Sequence, residues 1–302
     1  MAYSVDSIAI LGLGLIGGSL ARALRKNGFA RRFIGYGRRE QSLQKGLELG
    51  VIDSFTLELD EVLEQADIVV IGAPTLVAAE LVKTIVTKLQ DRPSAPVITD
   101  VASVKGNLKA AALECLPTFP PNLVLAHPIA GSEQSGVEAS TSDLFLNHRV
   151  ILTPEQSNRA EAVELVRAMW KSVGAEVINM SVLEHDKVLA ATSHLPHMLA
   201  YALVDALASS EMNEDIFRFA AGGFRDFTRI ASSDPVMWRD IAIANKESLL
   251  RSIDLFATHL AQLRVAVADT DGEQLYATFE RAKAARDQFA LDLAGRKQRN
   301  EN

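Results

Sequence analysis

Two motifs in this chain carry residue types that could perform a redox reaction. The first is Gly12-Leu13-Gly14-Leu15-Ile16-Gly17, which follows an apolar strand-like run and opens a helix-like one. The second is His127-Pro128-Ile129-Ala130-Gly131-Ser132-Glu133, which follows the strand-like run 123–126. In an open α/β sheet, bound nucleotide and substrate meet at the carboxyl ends of the strands. A histidine that could act as a base would therefore lie at the same edge of the sheet as a bound nucleotide that could accept a hydride. This combination predicts a dehydrogenase.

The glycine motif has the spacing of a dinucleotide-binding turn. Gly12 permits the tight turn, Gly14 lets the backbone approach a pyrophosphate, and Gly17 lets helix and strand pack closely. Leu15 and Ile16 lie at the predicted helix N-terminus, where unpaired N–H groups and the positive end of the helix dipole face the phosphates. A glycine-rich turn in another α/β fold is the alternative interpretation.

The end of the second predicted strand bears on the choice between NAD and NADP. An NAD site usually places Asp or Glu there to accept a hydrogen bond from the ribose 2′-hydroxyl. This chain has Gly37-Arg38-Arg39 instead, and an arginine can pair bidentately with a 2′-phosphate. We therefore expect a preference for NADP, with NAD remaining usable. A solvated basic turn is the alternative.

The elements that would position these motifs alternate as far as about residue 180. The strand-like runs lie at 8–11, 33–36, 68–71, 97–100, 123–126 and 149–152. Alternation with helix-like segments predicts an α/β fold, a Rossmann-type doubly wound sheet that is mostly parallel with helices on both faces. Ala73 and Pro74 follow the run 68–71, so they are expected at the same edge, against the cofactor.

Beyond residue 180 long helical periods dominate, including 182–209 and 238–268. We therefore expect a dinucleotide-binding domain over 1–180 and an all-helical substrate-binding and dimerisation domain over 181–302. Long helices with apolar faces often bury them against another subunit, so a homodimer is expected.

Composition narrows the class of protein. Of the 302 residues 48% are hydrophobic and 23% charged, as in soluble globular proteins. The net charge of -7 argues against a nucleic-acid partner. Cys115 is the one cysteine, which excludes a disulfide framework and a cysteine-based metal cage. Neither a signal peptide nor a membrane span is expected from the apolar pattern, so we expect a cytoplasmic protein.

Further segments, together with the His127 motif, resemble those of prephenate dehydrogenases, and more narrowly the bacterial cyclohexadienyl dehydrogenases. They are Asp-Val-Ala-Ser-Val-Lys at 100–105, Ser-His-Leu-Pro-His at 193–197, Gly-Gly-Phe-Arg-Asp-Phe-Thr-Arg-Ile-Ala at 222–231 and Asp-Pro-Val-Met-Trp at 234–238. The resemblance covers nearly the whole chain. It implies NAD(P)-dependent oxidative decarboxylation of prephenate, and often of arogenate, in tyrosine biosynthesis. A hydride leaves C4 of the ring, the ring carboxylate leaves as CO2, and the ring becomes aromatic.

The resemblance also implies which residues are catalytic. His127 matches the base that takes the proton of the C4 hydroxyl, a task that suits imidazole because its ordinary pKa lies near neutrality. A core histidine that caps a strand is the alternative. Ser103 matches a serine that hydrogen-bonds near this histidine and the nicotinamide, although a serine at a helix start could simply be a cap.

Other positions match substrate-binding residues of the family. Arg229 would hold a prephenate carboxylate with its planar guanidinium; pairing with Asp226 is the alternative. Ser193 and His197 share a helix face, and Pro196 between them is expected to kink that helix. Gly222 and Asp226 keep the family's spacing to Arg229. Trp238 matches a residue that reaches the neighbouring subunit's site, and Glu133 matches an acid that gates the site.

Three alternatives compete with this assignment. A metal held by His194 and His197 lacks an evident third ligand, so no metal is expected. A β-hydroxyacid dehydrogenase would use a lysine base such as Lys187 or Lys246, which leaves His127 without a role. A non-catalytic dinucleotide sensor would leave the histidine, serine and arginine set idle.

Overall fold

The computed structural model describes residues 4–92, 94–131, 134–211 and 213–300, with the backbone alone at 213, 214 and 294–300. The chain divides into two compact units, Met1–Leu249 and Leu250–Asn302. In the part of the chain that is described, no helix combines the length and the apolar character needed to cross a membrane.

The first unit contains a parallel sheet of six strands. These are β1 (Val5–Leu11), β2 (Ala30–Tyr36), β3 (Ser54–Thr56), β4 (Ile68–Ile71), β5 (Val97–Asp100) and β6 (Leu123–Val124). They pair in the order β3-β2-β1-β4-β5-β6, with every neighbouring pair parallel. This is the strand order of a dinucleotide-binding fold, and its direction reverses between β1 and β4. The predicted fold class is confirmed.

Both faces of this sheet are covered, which explains the continuous apolar runs of its strands. In β1, Ile8 and Ile10 pack into one buried cluster, whereas Ala9 and Leu11 pack into another. The helices of this part are α1 (Leu15–Lys26), α2 (Glu40–Glu48), α3 (Leu59–Gln65), α4 (Thr75–Leu89), α5 (Gly106–Cys115) and α6 (Ala160–Ser172).

A second sheet, of three strands, was not expected. Its strands are β7 (Ala126–Pro128), β8 (Arg149–Leu152) and β9 (Glu176–Asn179). β7 is antiparallel to β8, and β8 is parallel to β9. The predicted strand 123–126 is therefore two strands in different sheets, and 149–152 belongs to the smaller one.

Two buried side chains account for the change of sheet. Asp100 Oδ1 accepts a hydrogen bond from the Ala126 amide at 3.0 Å, and Lys105 Nζ donates to the Ala126 carbonyl at 2.7 Å. Both backbone groups of Ala126 are thus bonded to side chains rather than to β5. The chain leaves the main sheet at this point, one residue before His127.

Helices follow β9. They are α7 (Val182–Leu189), a π-helical turn (Ala190–His194), α8 (Leu195–Ala208), α9 (Asn213–Arg218), α10 (Gly222–Thr228), a 3₁₀ turn (Arg229–Ser232), α11 (Pro235–Ala244), α12 (Lys246–Ala268) and α13 (Gly272–Asn300). The predicted helix 182–209 is interrupted by the π turn next to Pro196, whose missing N–H cannot bond to the Thr192 carbonyl. The predicted helix 238–268 is two helices, divided at Asn245.

Candidate active site

The glycine turn joins the carboxyl ends of three neighbouring strands. Gly12 has a φ of 102° and its amide donates to the Tyr36 carbonyl at 2.9 Å. A Cβ at Gly12 would lie 2.7 Å from the Gly72 carbonyl oxygen, and one at Gly17 would lie 2.6 Å from the Gly12 carbonyl oxygen. Glycine is therefore required at Gly12 by its conformation and at both positions by close approach.

The same turn leaves room where a pyrophosphate would need it. A Cβ at Gly14 would meet no atom within 4 Å. The first turn of α1, which begins with the half-buried Leu15 and Ile16, contains no acidic residue. An open backbone at a helix N-terminus without a carboxylate suits an anionic group.

Two other loops lie at this edge. Ala73 and Pro74 follow β4, and the Ala73 amide nitrogen would be 2.9 Å from a Cβ at Gly12. Gly37, Arg38 and Arg39 follow β2, and both arginine side chains are exposed. The predicted cofactor positions are therefore brought together on the strands next to the topological switch.

His127 begins a chain of buried hydrogen bonds. Its Nδ1 atom lies 2.9 Å from Nε2 of His185, and Nδ1 of His185 lies 2.8 Å from Oδ1 of Asp186. The Asp186 carboxylate accepts two further bonds, from the Lys105 amide at 3.0 Å and the Gly106 amide at 2.8 Å. His127 is 9% exposed and His185 is fully buried, so water does not replace these partners.

The surroundings keep His127 unprotonated. Burial lowers the pKa of His127 well below its ordinary value of 6.5, and repulsion from His185, Lys105 and His194 acts in the same direction. Burial also lowers the pKa of His185, against the opposing effect of the bond to Asp186. At neutral pH both imidazoles are neutral, and a neutral imidazole can accept a proton from a hydroxyl.

Ser103 lies in the bend between β5 and α5 and is half-buried. The N-cap of α5 is Lys105, without a side-chain cap bond from the cap residue, and the Asp186 carboxylate bonds to the amides at this end. The alternative that Ser103 caps the helix is therefore wrong. Within the described residues its hydroxyl has no hydrogen-bond partner.

A second group of predicted residues forms beside this histidine chain. The rings of His197 and Trp238 stack with centroids 3.5 Å apart and planes inclined by 18°. Nδ1 of His197 donates to the Ser193 carbonyl at 2.8 Å. Burial lowers the pKa of His197, and the positive charge of Arg229 lowers it further. Arg229, His197 and Trp238 are thus neighbours.

His194 connects the two groups. Its ring lies edge-on to Trp238 at 6.1 Å, and Nδ1 is 3.1 Å from the Asn245 amide nitrogen. The same Asn245 amide donates to the Asp186 backbone carbonyl at 2.8 Å. Asn245 therefore holds α7 and the π turn together at the point where α11 ends.

The other predicted substrate positions are less closely placed. Gly222 and Asp226 lie on α10 and are exposed, and Asp226 pairs with Arg225 at 3.4 Å. Trp238 is 6% exposed and packs against Val104 and Ile241 of its own chain; whether it also reaches a neighbouring subunit stays a prediction. Glu133 lies outside the described residues.

The sequence alone did not single out several residues of this site. They are Asp100, Lys105, His185, Asp186 and Asn245. Asp100 and Lys105 lie in the motif at 100–105, but nothing in its sequence indicates that they are buried. His185 and Asp186 lie in a helical period like any other, and their importance comes from contacts with segments far away in sequence.

Two of the alternative sites receive no support. Lys187 and Lys246 are exposed, unlike a lysine base that is desolvated in a hydrophobic pocket. Across the described ranges, no group of three or more His, Cys, Asp or Glu side chains could hold a metal ion.

The fold and this edge define a dinucleotide-dependent dehydrogenase. Residues 20–179 match the family model "Prephenate dehydrogenase, nucleotide-binding domain", and residues 181–281 match "Prephenate dehydrogenase, dimerization domain". The chain belongs to the prephenate dehydrogenase family, whose members are oxidoreductases of tyrosine biosynthesis that use a nicotinamide dinucleotide.

Individual proteins are similar over most of the chain. It is 38% identical to the prephenate dehydrogenase of Bacillus subtilis (strain 168), over 96% of this chain and 78% of that protein. It is 35% identical to the cyclohexadienyl dehydrogenase of Zymomonas mobilis, over 92% of this chain and 94% of that protein. The solved prephenate dehydrogenase of A. aeolicus in complex with hydroxyphenyl propionate and NAD+ matches with a TM-score of 0.86 at 36% identity, covering 96% of this chain and all of that one.

Proposed function

We propose that this enzyme oxidatively decarboxylates prephenate to 4-hydroxyphenylpyruvate, tolerates arogenate as a second substrate, and prefers NADP to NAD. The observation that carries the proposal is that buried His127, whose lowered pKa leaves it neutral, is linked through His194 to a second group that contains the positive charge of Arg229 next to His197. Prephenate needs both features, because one hydroxyl must lose a proton and two carboxylates must be held.

His127 acts as the base. The nicotinamide, when bound, supplies the acceptor for the hydride that leaves C4. His127 takes the proton of the C4 hydroxyl as the carbonyl forms. The electron pair of the bond to the departing CO2 enters the ring and moves to the C4 oxygen, which recovers the proton from His127 to give the phenol. Because aromatisation makes the step strongly downhill, the enzyme's main task is to orient the ring and move one proton. Ser103 follows β5 and is half-buried. Its proposed role is to hydrogen-bond near His127 and the nicotinamide.

Arg229 holds a carboxylate of the substrate. Its neighbour His197 donates through Nδ1 to Ser193, which leaves Nε2 available to accept a hydrogen bond. Trp238 stacks on that ring and fixes its plane. We place Ser193, Gly222, Asp226 and Glu133 around the substrate on the family resemblance.

The glycine turn holds the pyrophosphate of the cofactor. Gly12, Gly14 and Gly17 shape the turn, and the amides of Leu15 and Ile16 face the phosphates. Ala73 and Pro74 line the opposite side of the crevice. The open space at Gly14 and the absence of an acid from the first turn of α1 support this assignment.

The preference for NADP rests on the loop after β2. Arg38 and Arg39 are exposed, no ion pair with a carboxylate is found for either in the described part of the chain, and neither Asp nor Glu occupies 37–39. A 2′-phosphate would meet two cations here, whereas residues 37–39, where an NAD site usually has Asp or Glu for the 2′-hydroxyl, contain no carboxylate. The A. aeolicus neighbour was solved in complex with NAD+, so NAD+ binds at least one relative.

We propose a homodimer built by the helical half, with a domain boundary near residue 180. The match of 181–281 to a dimerization domain supports it. Several large apolar side chains of the helices are exposed within the single chain, among them Leu255, Phe279 and Leu291, and burial against a second copy would remove them from water. A monomer in light scattering would overturn the dimer.

Absorbance at 340 nm tests the reaction, with prephenate and arogenate each combined with NADP and NAD. Rapid reduction with prephenate and NADP is expected, and His127→Asn should abolish most of it. Activity with NAD alone would support the proposed reaction and overturn the proposed preference for NADP. Silence in all four combinations would refute the proposed function.

The double variant Arg38→Ala, Arg39→Ala tests the cofactor preference. It should lower kcat/KM for NADP and leave kcat/KM for NAD nearly unchanged.

A further inference from the structure

His127 has two ring nitrogens, and the structure determines which of them can be the base. We propose that His185 and Asp186 are positioning residues that fix the tautomer of His127, so that Nε2 is the atom that takes the substrate proton. The proposal rests on the proposed role of His127 as the base. It assigns a function to two buried residues that the reaction does not otherwise use.

The chain of bonds begins at a group that can only accept. Burial acts to raise the pKa of Asp186, but the bonds from His185 and from the Lys105 and Gly106 amides outweigh it, and the pKa of Asp186 is lowered. Asp186 is therefore a carboxylate at neutral pH and has no proton to donate. Because Nδ1 of His185 lies 2.8 Å from its Oδ1, that nitrogen must carry the proton.

The state of His185 then decides that of His127. A neutral imidazole with its proton on Nδ1 has a bare Nε2, which can only accept. That Nε2 lies 2.9 Å from Nδ1 of His127, so Nδ1 of His127 must be the donor. Neutral His127 consequently keeps a bare Nε2, the nitrogen that remains for the substrate hydroxyl.

The Asp186 carboxylate is held in place by several hydrogen bonds, so it can fix which ring nitrogens of His185 and His127 carry protons. It bonds to the two amides at the start of α5, where the helix dipole favours a negative charge. The Asp186 backbone carbonyl accepts from Asn245. When Nε2 of His127 becomes protonated, its positive charge is stabilised through His185 by this anchored carboxylate, as in other catalytic groups where a carboxylate orients a histidine.

The tautomer can be measured without substrate. Protein labelled with ¹⁵N-histidine at neutral pH should show, in long-range ¹H–¹⁵N spectra, a protonated Nδ1 and a bare Nε2 for His127, whose signals are assigned by their loss in His127→Asn. A protonated Nε2 on neutral His127 would overturn the proposal. If the protein shows a protonated Nε2 and still turns over prephenate, the proposed function stands and only the tautomer assignment fails. If it shows the expected spectrum but no turnover, the proposed function is refuted and the tautomer assignment stands.

Two replacements of His185 separate positioning from packing. His185→Gln can present a carbonyl to His127 and an amide to Asp186, whereas His185→Leu has similar bulk and neither group. The leucine variant should lose about 100-fold or more in kcat with little change in either KM, and the glutamine variant should stay within about tenfold of wild type. Equal loss in both variants, or wild-type kcat in the leucine variant, would refute the positioning role. Near-UV circular dichroism checks that both fold.

Discussion

At the scale of single residues, the site depends on a histidine that stays neutral. Desolvation lowers the pKa of His127, and nearby His185, Lys105 and His194 lower it further. A base with a lowered pKa is a weaker base, yet it is unprotonated over a wider range of pH. The compensation comes from the reaction, because a hydroxyl becomes more acidic as its carbon loses a hydride.

The pH profile of kcat/KM should reflect this shift. Since the active form of His127 is the deprotonated one, acidification should reduce kcat/KM only below the ordinary histidine pKa of 6.5. Initial rates at saturating cofactor between neutral and mildly acidic pH would locate the fall, with substrate incubated alone at each pH as the control. A fall centred at or above 6.5 would show that His127 is not desolvated as described.

A second residue-scale prediction concerns the buried ion pair of Lys105 and Asp100. Both side chains are fully buried, so Lys105→Met leaves an uncompensated carboxylate and should cost about 3–5 kcal/mol of unfolding free energy. Lys109→Met in α5 is the control, because Lys109 pairs with Glu155 and both side chains remain partly exposed to solvent, so its loss should cost about 1 kcal/mol or less. Urea unfolding of both variants measures the difference; equal costs would contradict the argument.

At the scale of elements, the sequence predicted the turns and strands that are determined by residues close together in the chain. The glycine turn and the run 68–71 have local patterns, and both were found as predicted. The split of 123–126 has a tertiary cause, since Asp100 and Lys105 bind Ala126 across more than twenty residues. No periodicity in the sequence contains that information.

The candidate site divides in the same way. His127 and Arg229 lie in motifs that resemble a known family, so they could be proposed from sequence. His185 lies 58 residues from His127, and on its own helix it is an ordinary buried position. Its relation to His127 exists only once α7 packs against α5 and the small sheet.

The glycine turn allows a prediction that separates folding from binding. Gly17→Ala places a Cβ 2.6 Å from the Gly12 carbonyl oxygen and 2.9 Å from Ile10 Cγ2, so it should cost about 1–3 kcal/mol of stability. Gly14→Ala meets no protein atom within 4 Å, so it should change stability by less than about 0.5 kcal/mol. Both should weaken cofactor binding, because each disturbs the approach of backbone to pyrophosphate. Thermal unfolding and NADPH fluorescence titration distinguish the effects; unchanged affinity in Gly14→Ala would place the pyrophosphate elsewhere.

At the scale of the whole molecule, the buried histidines link the active site to acid stability. The pKa values of His127, His185 and His194 are all lowered, chiefly by burial. In the unfolded chain each returns to the ordinary value, so below it the unfolded state binds more protons. These histidines therefore do not reduce the free energy of unfolding above pH 6.5. Below that pH the free energy of unfolding decreases as the pH falls.

His194 gives this loss a magnitude. Burial lowers its pKa from 6.5 to about 4, so protonation of His194 in the unfolded chain should lower the free energy of unfolding by about 2 kcal/mol at about pH 5. His194→Gln should reduce the difference in unfolding free energy between mildly acidic and neutral pH by that amount relative to the wild-type protein. Trp170 and Trp238 both belong to the first unit, so tryptophan fluorescence in urea reports its unfolding. An identical pH dependence in His194→Gln and in the wild-type protein would mean that His194 is solvated, which would contradict the packing of its ring against Trp238 of α11.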